Sequence, residues 1–497
     1  MTLSMSEALQ RAEAAVGDLA RTRRDRWYPR LHIAGVAGWI NDPNAVCFYN
    51  GRYHVYFQHY PYGTDWGLMH WGHVSSADLI TWRREPIAMA PSLPGDRDGV
   101  FSGSAVVAES GLLHVYYTGH VWNNGVDFTE GVTQSQMLAV SSDGNHFDKR
   151  GVVIANPEGI PQFRDPKVWR QGQTWYLVVG AATSDGHGEV WLYESDDMVD
   201  WRFDRVLYRS PLPGTFMLEC PDFFPLGDRW VLVISPMRPG PDGYQRRNIH
   251  NVGYVVGDWQ PGGDFEVISE HTELDFGGNF YAPQTFEAPD RRRLLLGWMG
   301  GSPDQPMPSQ ADGWCSQLTV IRELGLTADH KLTMWPIAEI EALRTGTENH
   351  GPVELAADES RLVATDLTAG EIDIEIDLAA STAERVGLAV HQTTGGDETL
   401  VAYDVQTGRV VLDRHHSGAG QRGYRSAAVR GGVLRMRVLL DAASVEVFLD
   451  EGREAMSSLV FPGPGARRVE VFSEAGTAAI GRLDVHRMGS IYEPVVG

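Results

Sequence analysis

The chain has 497 residues, a hydrophobic content of 42% and a formal net charge of −23 at pH 7. Its length exceeds that of a usual single domain, so we expect two domains, and its hydrophobic content is sufficient for packed cores. Nucleic acids and anionic membrane surfaces are bound through basic faces, so the acidic balance argues against both as partners. The sequence also lacks the run of about eighteen apolar residues that a transmembrane helix requires.

Residues 1–31 have the pattern of a short amphipathic helix. We expect this helix to pack on the main body of the protein. The segment has no apolar stretch of the kind found in a secretory signal, so a cytoplasmic location is the default expectation. The apolar residues that follow helical spacing are Ala8, Leu9, Ala12, Ala15, Val16 and Leu19.

Residues 32–337 are predicted to form a five-bladed β-propeller, because a strand-like unit rich in aromatic and aliphatic residues occurs five times. Consecutive units lie 55 to 63 residues apart. Repeats of this kind are typical of propellers, in which four-stranded blades arranged in a ring leave only short edges exposed. The units are anchored at Tyr53, His114, Trp175, Trp230 and Arg293.

Three of the five units carry an acidic residue ten or eleven residues before the anchor, namely Asp42, Asp165 and Glu219. Equivalent positions of successive blades surround one central axis. We therefore expect the three carboxylates to converge at one mouth of the central channel. The other two units have Phe101-Ser102 and Tyr281 at about the same offset.

The pattern changes after residue 337. Residues 338–350 are predicted to be a linker with a helical stretch. Residues 351–497 are predicted to form a β-sandwich, because apolar and polar residues alternate in segments separated by turns, as in 370–377 and 433–440. This second domain shows no cluster of chemically reactive residues, and we expect it to have a structural or accessory role.

Three convergent carboxylates suit the cleavage of glycosidic bonds. Like charges raise one pKa, so one carboxyl stays protonated while a neighbour stays ionised, and glycoside cleavage needs such a pair. Glu219, which has the longer arm and lies next to a thiol, is predicted to be the acid, and Asp42 the nucleophile. Arg164 is expected to keep its neighbour Asp165 ionised, so that this fixed anion binds sugar hydroxyls and favours a cationic transition state.

Other motifs indicate no cofactor and no metal. His70 and His73 resemble a metal-ligand pair, but on a strand this spacing points the two side chains to opposite faces, which favours packing or hydrogen bonding. No glycine-rich nucleotide motif follows a strand and opens a helix. Trp66 and Trp298 occupy loop-like or strand-end positions at which a sugar can stack.

Taken together, these motifs resemble glycoside hydrolase family 32, the β-fructofuranosidases, which include invertases, sucrose-6-phosphate hydrolases, levanases and inulinases. The N-terminal helix and residues 117–122 are most similar to intracellular bacterial sucrose hydrolases. The resemblance runs from about Tyr28 to the C-terminus. It is carried by residues 38–44, 70–73, 101–104, 163–167, 219–222, 280–284 and 444–448.

The resemblance implies a five-bladed propeller joined to a β-sandwich and a retaining mechanism through a fructosyl-enzyme. It implies Asp42 as nucleophile, Glu219 as acid/base and Asp165 as transition-state stabiliser. The positions that match the substrate pocket of the family are Asn41, Gln58, Trp66, Phe101, Ser102, Arg164 and Trp298.

Two positions depart from the family pattern: Ala45 replaces a usual glycine and Leu218 a usual tryptophan. Both changes are expected to affect the rim of the pocket. The resulting hypothesis is a hydrolase that releases terminal β-fructofuranose, with sucrose as substrate. The alternatives are sucrose-6-phosphate or short fructans as substrates, transfer of fructose to acceptors other than water, and a catalytically silent sugar-binding propeller. The sequence specifies no oligomeric state.

Overall fold

An α-helix, Met5–Thr22, precedes the first strand in the computed structural model, which describes residues 3–301, 305 and 307–492. Ser4 caps this helix by accepting a hydrogen bond from the backbone N–H of Glu7. Its buried face packs against Ile87 of the propeller, as the helical spacing predicted. The helix is shorter than the predicted segment 1–31. The short 3-10 helices are Pro94–Asp96, Phe128–Glu130, Pro308–Asp312, Ala338–Leu343 and Asp450–Gly452.

Five four-stranded antiparallel sheets form the blades of a propeller. Blade 1 contains β1 (Gly38–Tyr49), β2 (Arg52–Tyr60), β3 (His70–Ser76) and β4 (Trp82–Arg84), and blade 2 contains β5 (Val100–Val107), β6 (Leu113–Trp122), β7 (Val132–Ser141) and β8 (Asp148–Ile154). Blade 3 contains β9 (Gln162–Gln171), β10 (Thr174–Ala182), β11 (Gly188–Ser195) and β12 (Arg202–Arg209), and blade 4 contains β13 (Leu218–Leu226), β14 (Arg229–Pro236), β15 (Gly253–Asp258) and β16 (Glu266–Glu273). Blade 5 contains β17 (Tyr281–Glu287), β18 (Arg293–Trp298), β20 (Arg322–Leu326) and β21 (Leu332–Pro336), with β19 (Trp314–Cys315) between β18 and β20 in the chain.

The blades close into a ring. The first strands of neighbouring blades contact one another in the order β1, β5, β9, β13, β17 and back to β1. The short strand β19 pairs in parallel with β1, so the end of the propeller sequence joins the first blade. These contacts confirm the predicted five-bladed propeller, and the five anchor segments are the second strands of the blades.

The C-terminal domain is a β-sandwich of one seven-stranded and one six-stranded sheet. Its inner faces supply a separate core of aliphatic side chains. Its strands are β22 (Arg344–Asn349), β23 (Val353–Leu355), β24 (Ser360–Ala364), β25 (Gly370–Asp377), β26 (Arg385–Gln392), β27 (Thr399–Asp404), β28 (Arg409–Asp413), β29 (Tyr424–Ala428), β30 (Val433–Asp441), β31 (Ser444–Leu449), β32 (Glu454–Leu459), β33 (Arg468–Glu474) and β34 (Ala478–Met488).

The segment 338–350, which was expected to be a linker, is largely ordered as part of the two domains. It contains the 3-10 helix Ala338–Leu343 and strand β22, which pairs with β34 of the sandwich. The sequence of β22 is polar throughout and the strand is mostly exposed, so it lacks the alternation by which the other strands were recognised.

Buried charges join the propeller to the sandwich. His32 lies between two carboxylates of the sandwich, with Nδ1 2.8 Å from Asp441 and Nε2 2.7 Å from Glu446. Arg322 of blade 5 bridges Glu446 and Asp275, and all five side chains are fully buried or nearly so. Buried charges are tolerated only when paired in this way, so the network fixes how the two domains meet. No helix among the described residues has the length and apolarity needed to cross a bilayer.

Candidate active site

The first strand of every blade is irregular at the same point. A β-bulge bends its strand and redirects side chains, and bulges are frequent next to active sites. In blade 2 the irregularity requires Gly103, because a Cβ there would collide with the carbonyl oxygen of Tyr116. The register with the second strand shifts between Ile40 and Pro43, Val100 and Gly103, Arg164 and Lys167, Glu219 and Asp222, and Tyr281 and Gln284.

Three of these bulges hold a residue other than glycine in the left-handed backbone region. The φ angles are 70° at Asp165, 46° at Cys220 and 47° at Ala282. Each such residue costs about 1–2 kcal/mol, and such strain persists where the surrounding structure holds the backbone in place. At Asp165 the backbone N–H donates to Thr118 Oγ1 at 2.9 Å, which is one of the contacts that hold it.

The bulges surround a cavity of about 480 Å³. Ten residues were predicted as site residues, and nine of them line this cavity. The tenth, Ser102, lies behind Asp42 and donates its hydroxyl to Asp42 Oδ2 at 2.6 Å. The structure therefore brings all ten together. The nine lining residues are Asn41, Asp42, Gln58, Trp66, Phe101, Arg164, Asp165, Glu219 and Trp298.

Asp42 is held by donors on both carboxylate oxygens. Asn41 Nδ2 donates to Oδ1 at 3.1 Å, while Ser102 donates to Oδ2. The amide of Asn41 is itself oriented by the indole N–H of Trp39, which donates to its Oδ1 at 2.9 Å. Burial raises the pKa of Asp42, the hydrogen bond from Ser102 opposes this rise, and the charge of Glu219 adds to it.

Glu219 is the most strongly hydrogen-bonded of the three carboxylates. Nε and Nη2 of Arg164 donate to Glu219 Oε1 at 2.9 and 2.7 Å, and the hydroxyl of Tyr281 donates to Oε2 at 2.5 Å. Arg164 is in turn held by Gln162, whose Oε1 accepts from Nη1 at 2.6 Å. Burial acts to raise the pKa of Glu219, but the Arg164 charge and the Tyr281 hydroxyl outweigh it and lower the pKa.

Asp165 accepts a close hydrogen bond from the protein backbone, and its contact with a cation is longer than that of Glu219. Its Oδ2 accepts from the backbone N–H of Cys220 at 3.0 Å, whereas Arg164 Nε is 3.9 Å away. Burial raises the pKa of Asp165 to about 7; the Arg164 charge opposes this rise, and the charges of Glu219 and Asp42 add to it. The charge of Arg164 thus favours the ionised form of Asp165, as expected, but burial outweighs it. The guanidinium pairs more closely with Glu219, and the backbone N–H of Cys220 makes the close contact to Asp165.

The thiol of Cys220 separates the two aspartates. Its Sγ is 3.6 Å from Asp42 Oδ2 and 3.6 Å from Asp165 Oδ2. Burial and the neighbouring carboxylates raise the pKa of the Cys220 thiol well above its usual value, so it stays protonated and acts as a weak donor between them. Cys47 and Cys315 are also buried and free.

Aromatic side chains form much of the cavity wall. Trp66 contacts the edge of Phe101 with ring centroids 5.9 Å apart, and Phe101 stacks on His120 at 4.1 Å. Trp298 packs near Tyr281, with centroids 6.4 Å apart. Flat apolar faces beside polar groups suit the two faces of a sugar ring. Trp66 and Trp298 both line the cavity, and their stacking on a sugar stays a prediction.

Several cavity residues were absent from the predicted site. Tyr281 was recognised at the common blade position, but its contact with Glu219 depends on the three-dimensional arrangement. Phe128 lies on the loop between β6 and β7, and Arg238 and His250 lie on the loop between β14 and β15. Loops carry no periodic signal, so nothing in the sequence pattern indicated these three.

The two departures from the family pattern lie outside the cavity. Ala45 is fully buried and has a φ of 45°, which explains why glycine suits this position. Leu218 is fully buried in the core between blades 3 and 4. Neither side chain lines the cavity, so the expectation that they alter its rim is wrong.

The histidine pair on β3 takes part in hydrogen bonding. His73 Nε2 is 2.9 Å from His54 Nδ1, and His70 Nδ1 is 2.9 Å from the carbonyl oxygen of Leu68. Within the described part of the chain, no group of three or more His, Cys, Asp or Glu side chains is arranged to hold a metal ion.

Comparison with known families matches both domains of the chain. The model of the glycosyl hydrolases family 32 N-terminal domain matches residues 32–336, and that of the family 32 C-terminal domain matches residues 339–487. The chain belongs to glycosyl hydrolase family 32. The resemblance inferred from the sequence motifs is thereby confirmed.

Individual members of family 32 are similar over nearly the whole chain. A sucrose-6-phosphate hydrolase of Escherichia coli is 41% identical over 473 residues, which cover 95% of this chain and 97% of the relative. A raffinose invertase of Escherichia coli is 38% identical over 477 residues, 96% of this chain and 98% of the relative. A solved structure of a mutant of the Bombyx mori β-fructofuranosidase BmSUC1 in complex with sucrose has a TM-score of 0.86 at 32% identity and covers 98% of this chain and 99% of that one.

Proposed function

We propose that this family 32 chain is a β-fructofuranosidase that hydrolyses sucrose to glucose and fructose through a covalent fructosyl-enzyme. The observation that carries the proposal is the convergence of Asp42, Asp165 and Glu219 in one cavity, each with its own set of donors. The sucrose complex of a structural neighbour and the names of the relatives support sucrose or a close derivative as substrate.

In the first step, the carboxylate of Asp42 attacks the anomeric carbon of the fructosyl unit as the bond to the glucosyl oxygen breaks. Glu219 gives its proton to that oxygen, and glucose leaves. In the second step, Glu219 takes a proton from water, and the water oxygen displaces Asp42 from the anomeric carbon. The donors from Asn41 and Ser102 fix the orientation of the attacking carboxylate.

In the resting site the pKa of Glu219 is shifted in the opposite direction from those of the two aspartates. Arg164 and Tyr281 stabilise the ionised form of Glu219, while burial raises the pKa values of Asp42 and Asp165. Glu219 can donate a hydrogen bond to the glycosidic oxygen of a bound substrate only when it is protonated. Substrate binding therefore selects the form in which Glu219 carries the proton and the aspartates are ionised.

Asp165 is assigned to transition-state stabilisation. A carboxylate held by the Cys220 N–H, next to the fructosyl ring, interacts more strongly with the ring as positive charge develops on it. Burial raises the pKa of Asp165, so its ionised form is less favoured in the free protein than that of an exposed aspartate. The ionised form becomes the favoured one when a cationic transition state forms beside it.

The test is to incubate the protein with sucrose, sucrose-6-phosphate and short fructans and to quantify the released sugars over time. We expect equal amounts of free glucose and free fructose from sucrose. We expect Glu219→Gln to lose most turnover while retaining affinity for sucrose. Near-normal rates in that variant would remove Glu219 from the acid/base role.

Two alternatives are separated by the same experiment. Glucose in clear excess over fructose identifies a fructosyltransferase, because the fructosyl-enzyme then reacts with a sugar hydroxyl instead of water. Absence of turnover with every substrate identifies a silent sugar-binding propeller. The presence of all three carboxylates in the cavity favours the enzyme. The cytoplasmic location remains a prediction.

A further inference from the structure

Arg238 lies in the wall of the candidate active site on the loop between β14 and β15. Its backbone is left-handed, with a φ of 54°, and its N–H donates to the carbonyl oxygen of Ile249 at 3.1 Å. The side chain is exposed and lines the cavity that also contains the three carboxylates. The loop thus holds a cation at the solvent side of an acidic cavity.

The two arginines of the cavity differ in their partners. The guanidinium of Arg164 is engaged by Glu219 and Gln162. The guanidinium of Arg238 makes no hydrogen bond or ion pair with any residue that the structure describes. A nearby arginine of the same loop, Arg246, is by contrast paired with Asp242 and the carbonyl oxygen of Gly240. None of the five N–H donors of Arg238 is engaged by a residue among 3–301, 305 and 307–492, so they can serve a ligand.

The position of Arg238 in the cavity indicates which part of a substrate it can contact. The fructosyl unit must lie against Asp42 and Glu219, so the sugar on the other side of the scissile bond extends towards the exposed part of the cavity. Phe128, on a loop of blade 2, is 55% exposed and also lines the cavity. Blades 2 and 4 are not neighbours in the ring. A leaving sugar in the exposed part of the cavity would therefore meet an aromatic ring from one blade and a guanidinium from the other.

We propose that Arg238 binds an anionic substituent, a phosphate group, on the leaving sugar and thereby makes this protein selective for a phosphorylated disaccharide. This inference rests on the proposed function. Three carboxylates disfavour an anionic substrate, so such a substrate requires a compensating cation. The planar guanidinium of an arginine can donate two parallel N–H hydrogen bonds, which match the geometry of a phosphate.

The test compares kcat/KM for sucrose-6-phosphate and for sucrose in wild type, Arg238→Gln and Arg247→Gln. Arg247 is exposed on the same loop and does not line the cavity, so its substitution removes the same charge from the same segment. In Arg238→Gln, we expect kcat/KM for sucrose-6-phosphate to fall about 10- to 100-fold more than that for sucrose. We expect Arg247→Gln to leave the ratio of the two values unchanged.

A second measurement does not depend on turnover of the phosphorylated substrate. Glucose-6-phosphate should inhibit sucrose hydrolysis by wild type more strongly than glucose does, and Arg238→Gln should abolish this difference. The proposal is overturned if Arg238→Gln lowers kcat/KM equally for sucrose-6-phosphate and for sucrose. It is also overturned if the variant changes neither the ratio of the two kcat/KM values nor the inhibition by glucose-6-phosphate. If wild type hydrolyses sucrose and either of these results is found, only the role of Arg238 is rejected. If wild type hydrolyses none of the substrates, the proposed function itself is rejected.

Discussion

Arg164 pairs more closely with Glu219 than with its neighbour in sequence, Asp165. Its Nε and Nη2 are 2.9 and 2.7 Å from Glu219 Oε1, while Nε is 3.9 Å from Asp165 Oδ2. One cation thus stabilises the ionised form of the proposed acid, and the pKa of Asp165 is raised to about 7, mainly by burial. Arg164 consequently favours the ionised form of Glu219 more directly than that of Asp165.

We predict that Arg164→Gln lowers kcat/KM for sucrose by about 100- to 1,000-fold, because Glu219 loses the donors that position it. Loss of the guanidinium also raises the pKa of Glu219. Since Glu219 must be protonated for the first step, the alkaline limb of the pH profile of kcat/KM moves to higher pH. Arg170→Gln is the matched control, because Arg170 lies on the same strand, is exposed and pairs with Glu109. An unshifted alkaline limb in Arg164→Gln contradicts this role.

The pH profile of Ser102→Ala tests the environment of Asp42. The hydrogen bond from Ser102 Oγ, at 2.6 Å, lowers the pKa of Asp42, so its removal raises that pKa. Asp42 must be ionised to attack, so the acid limb of kcat/KM moves to higher pH. We expect kcat/KM at its optimum to fall about 5- to 30-fold. Ser110→Ala, on an exposed loop, serves as the control; an acid limb that stays in place counts against the assignment.

The fold was predictable where the sequence is periodic. The five second strands are rich in aromatic and aliphatic residues, and their spacing predicts that Asp42, Asp165 and Glu219 lie at equivalent points of the ring. Strand β22 was missed because its residues are polar and exposed on both faces. Periodic hydrophobic residues indicate a buried face, and a strand that is exposed on both faces does not show this periodicity.

The details of the site were less predictable than its location. The pairing of Arg164 depends on left-handed backbone at Asp165, whereas extended backbone is the usual expectation for a residue that precedes a proline. Phe128 and Arg238 reach the cavity from loops of different blades, and their positions depend on loop conformation. Asp165 is adjacent to Arg164 in sequence and was therefore predicted to be its partner, but Glu219 is the closer one. The bulge, and not the order of residues, sets the direction of these side chains.

His32 provides a prediction about stability. Burial alone lowers its pKa, but the carboxylates of Asp441 and Glu446 outweigh burial and raise the pKa to about 9. The raised folded-state pKa contributes stability that is complete below pH 6.5 and is lost as the pH rises through about 9. The contribution is on the order of 3 kcal/mol at most.

We therefore expect His32→Gln to lower the unfolding temperature markedly at pH 6 and much less at pH 10, when both proteins are compared by thermal unfolding. His146→Gln is the control, because His146 is exposed and pairs with Asp143 at the surface. A difference between wild type and His32→Gln that stays constant from pH 6 to pH 10 shows that the charge of His32 does not hold the domains together.

The proposed mechanism requires Asp42 to form a covalent bond to fructose. The direct measurement uses Glu219→Ala with a β-fructofuranosyl donor whose leaving group needs no acid, followed by acid quenching, proteolysis and mass spectrometry. Without Glu219 the first step still proceeds but water is not activated for the second, so the intermediate accumulates. We predict that the peptide containing Asp42 gains the mass of one fructosyl unit, and that Asp42→Asn in the same background abolishes this gain. A fructosyl unit on Asp165, or no labelled peptide while the leaving group is released, contradicts the assignment of Asp42 as nucleophile.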